Sequence, residues 1–258
     1  MELIIIALVA FFASMLTFFS GFGLGTILSP VMLLFFPVEI AIALTGVVHF
    51  LNNCFKITLV RKHINWSVGF LFGSTALIGS FIGAMVLLRL SDYSGVVYSY
   101  TFQGQIYSVT LVKFIIAQLM LLFVVIELIP TLKGIQFSKR SLPIGGLISG
   151  FFGGLSGNQG ALRSMFLLKS GLNKEAYIAT GILIAFAVDI TRLSVYFNRM
   201  EGLDLNTFKT TLVVAILAAF TGAYLGRNLL KKITLKFVQI LVSILIGVLA
   251  IGLGLGVL

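Results

Sequence analysis

Ten apolar runs, separated by short stretches of charged or turn-forming residues, make up most of this sequence. Only 10% of the 258 residues are charged, whereas soluble domains average about 25%. A chain with so few charges cannot cover a water-exposed surface, so the runs predict helices in a membrane. The runs are 1–19, 24–36, 38–60, 66–90, 109–129, 142–154, 158–170, 175–197, 207–229 and 234–258. We therefore expect an all-α polytopic membrane protein of about ten helical segments.

The basic residues lie between the apolar runs rather than in one patch, although the formal net charge is +10. Cytoplasmic loops of membrane proteins carry an excess of Lys and Arg. This bias is satisfied when loops 61–65, 131–141, 171–174 and 230–236 are cytoplasmic, which predicts a multi-pass protein of the cell (inner) membrane with both termini outside. Basic residues placed in this way set topology, so we expect no nucleic-acid partner.

The longest polar connection, residues 91–108, contains four tyrosines and no Lys or Arg. Tyrosine is enriched at the boundary between membrane and water. We expect this stretch to be an interfacial loop on the outer face.

Two glycine-rich stretches interrupt pairs of short apolar runs. The first, 21–25, separates runs 1–19 and 24–36, and the second, 153–160, separates the two short runs that follow residue 141. Glycine weakens a helix and frees backbone groups that lipid cannot hydrogen-bond. Such breaks are tolerated where protein or a water-filled cavity surrounds them, so we expect two pairs of short glycine-broken helices. The sequence leaves open whether 1–19 and 24–36 cross fully or turn back midway.

The two halves of the chain are similar to each other. An offset of 135 residues aligns 22–46 with 157–181 without a gap, and six of the 25 positions are identical. The identical pairs are Gly25/Gly160, Ser29/Ser164, Leu33/Leu168, Ala41/Ala176, Thr45/Thr180 and Gly46/Gly181. Because the predicted topology reverses between the halves, we expect two inverted-topology repeats, 1–130 and 142–258, joined by the cytoplasmic linker 131–141. This arrangement is typical of secondary transporters with a site near the bilayer midplane.

A short helix begins just after each glycine break, and the free N–H groups at its start favour an anion. The predicted substrate-binding groups lie at these two helix starts: Gly23, Gly25, Thr26, Asn158, Gln159, Gly160 and Arg163. Arg163 is the most informative, because a charged group at bilayer depth costs about 3 kcal/mol or more unless it is paired or hydrated. Its guanidinium group suits an oxyanion. The alternative is that Arg163 pairs with an acid inside the membrane and only holds helices together.

Asp189 is the candidate acid inside the membrane that would pair with Arg163. Arg192 follows Asp189 by three residues on the same helical face. One interpretation is a local ion pair between Asp189 and Arg192. The other is that Asp189 pairs with Arg163 and is released or protonated as substrate binds. Both interpretations are open at this stage.

The run 38–60 carries its own polar stripe. Helical spacing places His49, Asn52, Asn53 and Lys56 on one face, and such a stripe either lines a cavity or joins helices. We expect His49, Asn53, Lys56, Asp189 and Arg192 to gate the path or couple it to protons.

The two glycine-broken stretches resemble the paired motifs of the sulfite exporter TauE/SafE family. They read SGFGLGTILSPVMLLFFPVEIAIALTG and SGFFGGLSGNQGALRSMFLLKSGLNKEAYIATG. The matching positions are Gly21, Gly23, Gly25, Pro30, Ala41 and Thr45 in the first stretch, and Gly154, Gly157, Gly160, Ala176 and Thr180 in the second. The resemblance implies a bacterial or archaeal permease for sulfite, thiosulfate, organosulfonates and related small anions. Met165 replaces the second-half proline, and Asn158, Gln159 and Arg163 occupy a stretch usually richer in glycine.

Together these observations predict a secondary transporter, not an enzyme, that moves a small sulfur-containing anion by alternating access. Its expected partners are the anion and the lipid bilayer, and the pattern allows a homodimer. We expect no cofactor and no metal, since Cys54 is the only cysteine. The competing hypothesis is a non-transporting membrane assembly or interaction subunit whose buried charges are structural.

Overall fold

The computed structural model describes residues 1–20, 23–93, 95–128, 137–168, 170–199, 207–229 and 235–257. Within these residues the chain forms ten α-helices and one β-hairpin, which confirms the predicted all-α polytopic membrane class. The helices are α1 (Glu2–Ser20), α2 (Leu24–Met32), α3 (Val38–Val60), α4 (Trp66–Asp92), α5 (Leu111–Leu128), α6 (Leu142–Ser156), α7 (Gly160–Leu167), α8 (Lys174–Arg199), α9 (Lys209–Leu229) and α10 (Leu235–Gly254). Single 3-10 turns, Arg61–His63 and Lys139–Ser141, precede α4 and α6.

The hairpin joins α4 to α5. Its strands β1 (Val96–Phe102) and β2 (Gln105–Thr110) pair antiparallel. Gln103 and Gly104 between them have φ values of 50° and 80°, the two positive values that a tight two-residue hairpin turn requires. The expectation of a loop over this stretch was therefore wrong, because its β-branched and aromatic residues favour strands.

Small residues bring helices from different halves into backbone contact. A Cβ on Gly79 of α4 would overlap the carbonyl oxygen of Leu147 in α6, and one on Gly83 would overlap that of Phe151. Contact positions advance together along both helices, so α4 and α6 run parallel. Such small-residue spacings let helix backbones approach closely in membranes.

The same kind of contact joins α1 to α9. Gly222 and Gly226 of α9 lie against the carbonyl oxygens of Phe11 and Met15 in α1. These two helices also run parallel. Each pair therefore joins the first helix of one half to the fourth helix of the other.

Contacts at the centre fix the direction of α8 relative to both halves. Ser80 of α4 donates to the carbonyl of Val188, and the Asn65 amide before α4 donates to Thr180, so α8 runs parallel to α4. Phe50 of α3 stacks on Phe186 at 5.2 Å between ring centroids, and earlier α3 residues meet later α8 residues. Helix α3 is therefore antiparallel to α8.

Contacts also determine the directions of helices α9 and α10. Phe36 contacts Phe208, and Phe55 stacks on Phe220 with centroids 4.8 Å apart, so α9 runs parallel to α3. Ala117 of α5 lies 3.5 Å from the Cβ position of Gly254. The end of α10 thus meets the first part of α5, and these two helices are antiparallel.

The hairpin marks one face of the molecule, which we call the hairpin face. Tyr98 and Tyr100 of β1 donate hydrogen bonds to the carbonyls of Gly254 and Leu255, at the end of α10. Helices α4, α6, α8 and α10 run toward this face, whereas α1, α3, α5 and α9 run away from it. The opposite face carries the basic residues Arg61, Lys62, Lys139, Arg140 and Lys174, and the hairpin face carries Arg89, Lys113 and Lys209.

Among the residues that the structure describes, four helices are long and apolar enough to cross a bilayer. They coincide with α3, α4, α8 and α9, and shorter apolar stretches fall within α1, α5 and α10. Large apolar side chains such as Phe70, Ile78 and Val248 are more than half exposed. An exposed apolar belt of this kind is the surface that lipid covers.

Parts of the predicted loops lie outside the described residues. These are residues 131–136 of the linker, 230–234 of the last predicted cytoplasmic loop, and 21–22 of the first glycine break.

Gly79→Ala is expected to destabilise the protein, because its new methyl group overlaps the backbone of α6. Overpacking of this kind costs about 1–3 kcal/mol. Gly73→Ala in the same helix is the matched control, since no atom lies within 4 Å of its Cβ position. That change should be neutral or stabilising, because alanine favours helix. Thermal unfolding in detergent checks both variants, and equal midpoints for the two would contradict the close contact.

Candidate functional site

The two glycine breaks meet inside the protein. Gly157 ends α6 with a φ of 78°, a left-handed conformation that favours glycine. Its carbonyl oxygen lies 3.3 Å from the position of a Cβ on Gly25. We call this approach the glycine contact. Both glycines are buried, so the irregular backbone lies against protein rather than lipid, as membrane burial requires.

His49 of α3 links the first break to the buried acid. Its Nε2 lies 2.8 Å from the Cβ position of Gly23, which leaves no room for a side chain there. Its Nδ1 lies 2.7 Å from Oδ2 of Asp189 on α8. The imidazole ring therefore spans the space between the start of α2 and the carboxylate.

Asp189 is fully buried and surrounded by donors. Its Oδ1 accepts from Arg192 Nε at 3.0 Å and lies 2.8 Å from Arg192 Nη2. Its Oδ2 accepts from Asn53 Nδ2 at 3.0 Å and is within bonding distance of His49. A buried carboxylate is stable only with such complete pairing.

The geometry favours the first of the two interpretations of Asp189. Arg192, at i+3, forms its ion pair with the carboxylate. The other interpretation, in which Asp189 pairs with Arg163 and is released as substrate binds, stays a hypothesis. Arg163 lies elsewhere, with its Nε 3.6 Å from the Cβ position of Gly181.

A buried cavity of about 30 Å³ lies beside this network. It extends from the level of His49 toward Lys56 and Tyr177, near the opposite face. Its walls come from α1, the start of α2, α3, α7 and α8: Thr17, Phe18, Gly23, Leu24, His49, Asn53, Lys56, Arg163, Tyr177, Ile178, Gly181, Ile182 and Ala185. This space holds about two water molecules, so the helices must separate to admit an anion with four or more heavy atoms.

Two cationic side chains line the cavity, one from each half. Lys56 is 3% exposed and Arg163 is 5% exposed. The Lys56 ammonium lies 5.5 Å from the centre of the Phe18 ring, a favourable cation–π placement. These two are the formally charged side chains of the cavity wall, and the nearby Asp189 is paired with Arg192.

No metal site competes with this assignment in the described ranges. They contain no group of three His, Cys, Asp or Glu side chains placed to hold a metal ion.

The comparison with known families decides the identification. A family model described as sulfite exporter TauE/SafE matches residues 6–253 of the chain. The chain belongs to this family. Membership implies a membrane transporter of sulfite-type anions. No curated protein and no solved structure is similar enough to the chain to count as a match.

In this TauE/SafE protein, part of the predicted site comes together around the cavity. The cavity walls include Gly23, His49, Asn53, Lys56 and Arg163, whereas Asp189 and Arg192 lie behind His49 and Asn53. Gly25, Thr26, Asn158, Gln159 and Gly160 lie around the two breaks but not in the cavity wall.

Asn52 was predicted to share the polar stripe of α3, but its side chain does not line the cavity. Its Oδ1 accepts from Ser14 of α1 at 3.0 Å. The side chain therefore joins α1 to α3, and the other three residues of the stripe line the cavity.

The cavity wall that α8 contributes was not predicted from the sequence. Tyr177, Ile178, Gly181, Ile182 and Ala185 form one stripe at helical spacing. That spacing was visible in the sequence, but mostly apolar residues on a membrane helix do not by themselves distinguish a cavity wall from a packed face. Tyr177 alone adds a polar group, and it donates to Ser164 at 2.8 Å.

Proposed function

We propose that this TauE/SafE protein moves a small sulfur-containing anion, such as sulfite, thiosulfate or an organosulfonate, across the cell (inner) membrane by alternating access. The observation that carries the proposal is the buried cavity into which Arg163 and Lys56 project from different halves. Two cationic groups that face one buried cavity attract a small anion into it. A bound oxyanion accepts charge-assisted hydrogen bonds from both side chains.

The helix directions support two inverted repeats, 1–130 and 142–258, with 131–141 as linker. The first, third and fifth helices of one half run away from the hairpin face, and their counterparts α6, α8 and α10 run toward it. Rocking of two inverted halves around a central site is the usual basis of alternating access. The cavity, whose wall includes Gly23 of the first break, lies beside the glycine contact where the halves meet.

The distribution of basic residues supports a cytoplasmic location for the opposite face. Arg61, Lys62, Lys139, Arg140 and Lys174 lie there, as expected for cytoplasmic loops. Both termini then lie outside, and the cavity is directed toward the cytoplasm. Export of an anion from this side is favourable, because a negative-inside potential contributes about 2.3 kcal/mol per charge per 100 mV.

The Asp189 network is proposed as the gate. His49 contacts both the first glycine break and Asp189, so a change in its protonation or orientation alters the two together. Asn53 and Arg192 hold the carboxylate in place on its other sides. Substrate-linked proton movement through His49 follows from this position. The proposal involves no enzymatic step and no cofactor.

Ligand-dependent unfolding tests the proposal on the purified protein. A ligand that binds only the folded state stabilises it, by about 2.7 kcal/mol at a concentration 100 times its Kd. We expect the unfolding midpoint in detergent to rise with sulfite, thiosulfate or methanesulfonate concentration, but not with chloride at equal ionic strength. A midpoint that no sulfur anion raises above the chloride value would contradict the proposal.

A further inference from the structure

Polar atoms without partners collect on the hairpin side of the glycine contact, outside the cavity. Arg192 Nη1 lies 2.9 Å, and Ser29 Oγ 3.7 Å, from the Cβ position of Gly157. Thr45 Cγ2 lies 3.8 Å from the corresponding point at Gly25. These three side chains are at most 4% exposed. Arg192 Nη1, Ser29 Oγ and Thr45 Oγ1 have no hydrogen-bond partner among the described residues.

The second half of the chain provides an internal comparison. Ser29 aligns with Ser164, and Thr45 aligns with Thr180. Ser164 Oγ donates to the Gly160 carbonyl at 2.8 Å, and Thr180 Oγ1 accepts from an amide at 2.9 Å. The serine and threonine hydroxyl groups thus have hydrogen-bond partners within the protein in the second half. Their aligned counterparts in the first half have none among the described residues. Buried hydroxyl groups are normally hydrogen-bonded, so the open pair needs an explanation.

The two buried arginines occupy matching places in the two halves. Gly46 and Gly181 are aligned residues. The guanidinium carbon of Arg192 lies 3.4 Å from the Cβ position of Gly46, and that of Arg163 lies 3.9 Å from the Cβ position of Gly181. Each guanidinium group therefore lies beside the glycine of a Thr-Gly pair. If the Arg163 position binds an anion, Arg192 lies at the corresponding place beside the first-half glycine.

The charge and donor set at Arg192 fit an oxyanion. Nε of the guanidinium group donates to Asp189, and Nη2 lies 2.8 Å from the same carboxylate oxygen, whereas Nη1 has no hydrogen-bond partner among the described residues. Nη1 and Ser29 Oγ lie beside Gly157, and Thr45 lies beside Gly25, so the three donor-bearing side chains lie around the glycine contact. Hydrogen bonds from such donors to an anion are strong. Asn158 Oδ1, which follows the break, is a further buried polar atom without a hydrogen-bond partner among the described residues.

We propose that Arg192 Nη1, Ser29 Oγ and Thr45 Oγ1 form a second position for the transported anion, on the hairpin side of the glycine contact. This inference rests on the proposed function. The anion occupies the cavity at Arg163 and Lys56, passes the glycine contact when the halves move, and is then held at Arg192 before release at the hairpin face. The path then has one cationic position on each side of the glycine contact, and the anion moves from one position to the other.

Radiolabelled sulfite flux through proteoliposomes tests the second position. Ser29→Ala and Thr45→Val each remove one hydroxyl group with little change in volume, and Thr45→Ser restores it. Ser80→Ala is the matched control, because its buried hydroxyl group already donates to the Val188 carbonyl and is not open to a ligand. A hydrogen bond to a charged ligand is worth about a 10- to 100-fold change. We expect each deletion to reduce sulfite flux at least about tenfold, whereas Thr45→Ser and Ser80→Ala retain it.

Sulfite-dependent stabilisation separates this inference from the proposed function. Because Arg163 and Lys56 are intact in these variants, sulfite should still raise their unfolding midpoints. Wild-type flux in both hydroxyl-deletion variants would overturn the second position, with water alone filling the cluster, and would leave the cavity site standing. An equal loss in Ser80→Ala would overturn it as well. Absence of sulfite flux and of stabilisation in the wild type would overturn the proposed function and the second position together.

Discussion

Asp189→Asn is expected to lower the free energy of unfolding by about 3–5 kcal/mol, although asparagine has nearly the same shape. The change removes the charge that balances Arg192, which is 1% exposed and bonded to Asp189 through Nε and Nη2. A guanidinium group left at that depth without a counter-charge is strongly destabilising. Thermal unfolding in detergent measures the loss.

Two further variants test whether the unpaired charge of Arg192 causes the loss of stability. Glu175→Gln changes an exposed acid on the same helix α8 and should shift stability by less than about 0.5 kcal/mol. Asp189→Leu combined with Arg192→Met removes both charges and should be more stable than Asp189→Asn, because no buried charge is then unpaired. Wild-type stability in Asp189→Asn would show that Arg192 does not depend on this partner.

Helix positions could be predicted well, because in a membrane the length of an apolar run largely determines the helix. The run 38–60 coincides with Val38–Val60, and the run 175–197 lies within Lys174–Arg199. The hairpin was missed because its strands lie in a polar stretch, where the absence of an apolar run suggested a loop. Its alternating residues and its Gln-Gly turn carried the correct signal.

The part of the candidate site that lies on the single helix α3 could be predicted from the sequence. His49, Asn53 and Lys56 share a face by spacing alone, and all three line the cavity. The choice between Arg163 and Arg192 as the partner of Asp189 depends on how α7 packs beside α8. Packing between helices is not encoded in the spacing of either one, so the sequence left both pairings open.

The lack of hydrogen-bond partners for the hydroxyl groups of Ser29 and Thr45 could not be predicted from the sequence. The repeat alignment identified them as residues shared between the halves. Their difference from Ser164 and Thr180 lies in hydrogen bonds to residues that are distant in the chain. Only the folded structure shows which hydroxyl groups have partners.

Arg163→Ala is expected to abolish sulfite transport, because it removes the guanidinium group that α7 places in the cavity. Loss of one partner from a buried, hydrogen-bonded charge pair costs about 2–5 kcal/mol, a decrease of roughly 30-fold or more in binding. Arg163→Lys keeps the charge but not the planar fork, so it should retain a fraction of the flux. Flux is measured with radiolabelled sulfite in proteoliposomes.

Arg61→Ala is the matched control for this prediction. Arg61 is exposed in the turn between α3 and α4, and its loss should leave transport unchanged. The unfolding midpoint of each variant without sulfite shows whether a loss of flux reflects a loss of folded protein. Unchanged flux in Arg163→Ala would remove Arg163 from the substrate site.

We propose that the cavity beside the two glycine breaks belongs to a path for sulfur oxyanions. Sulfite flux into proteoliposomes that contain the wild-type protein tests this path most directly, with protein-free vesicles and Arg163→Ala vesicles measured in parallel. We expect saturable flux in the wild type and background flux in the other two. Wild-type flux equal to that of protein-free vesicles, for sulfite, thiosulfate and organosulfonates alike, would contradict it.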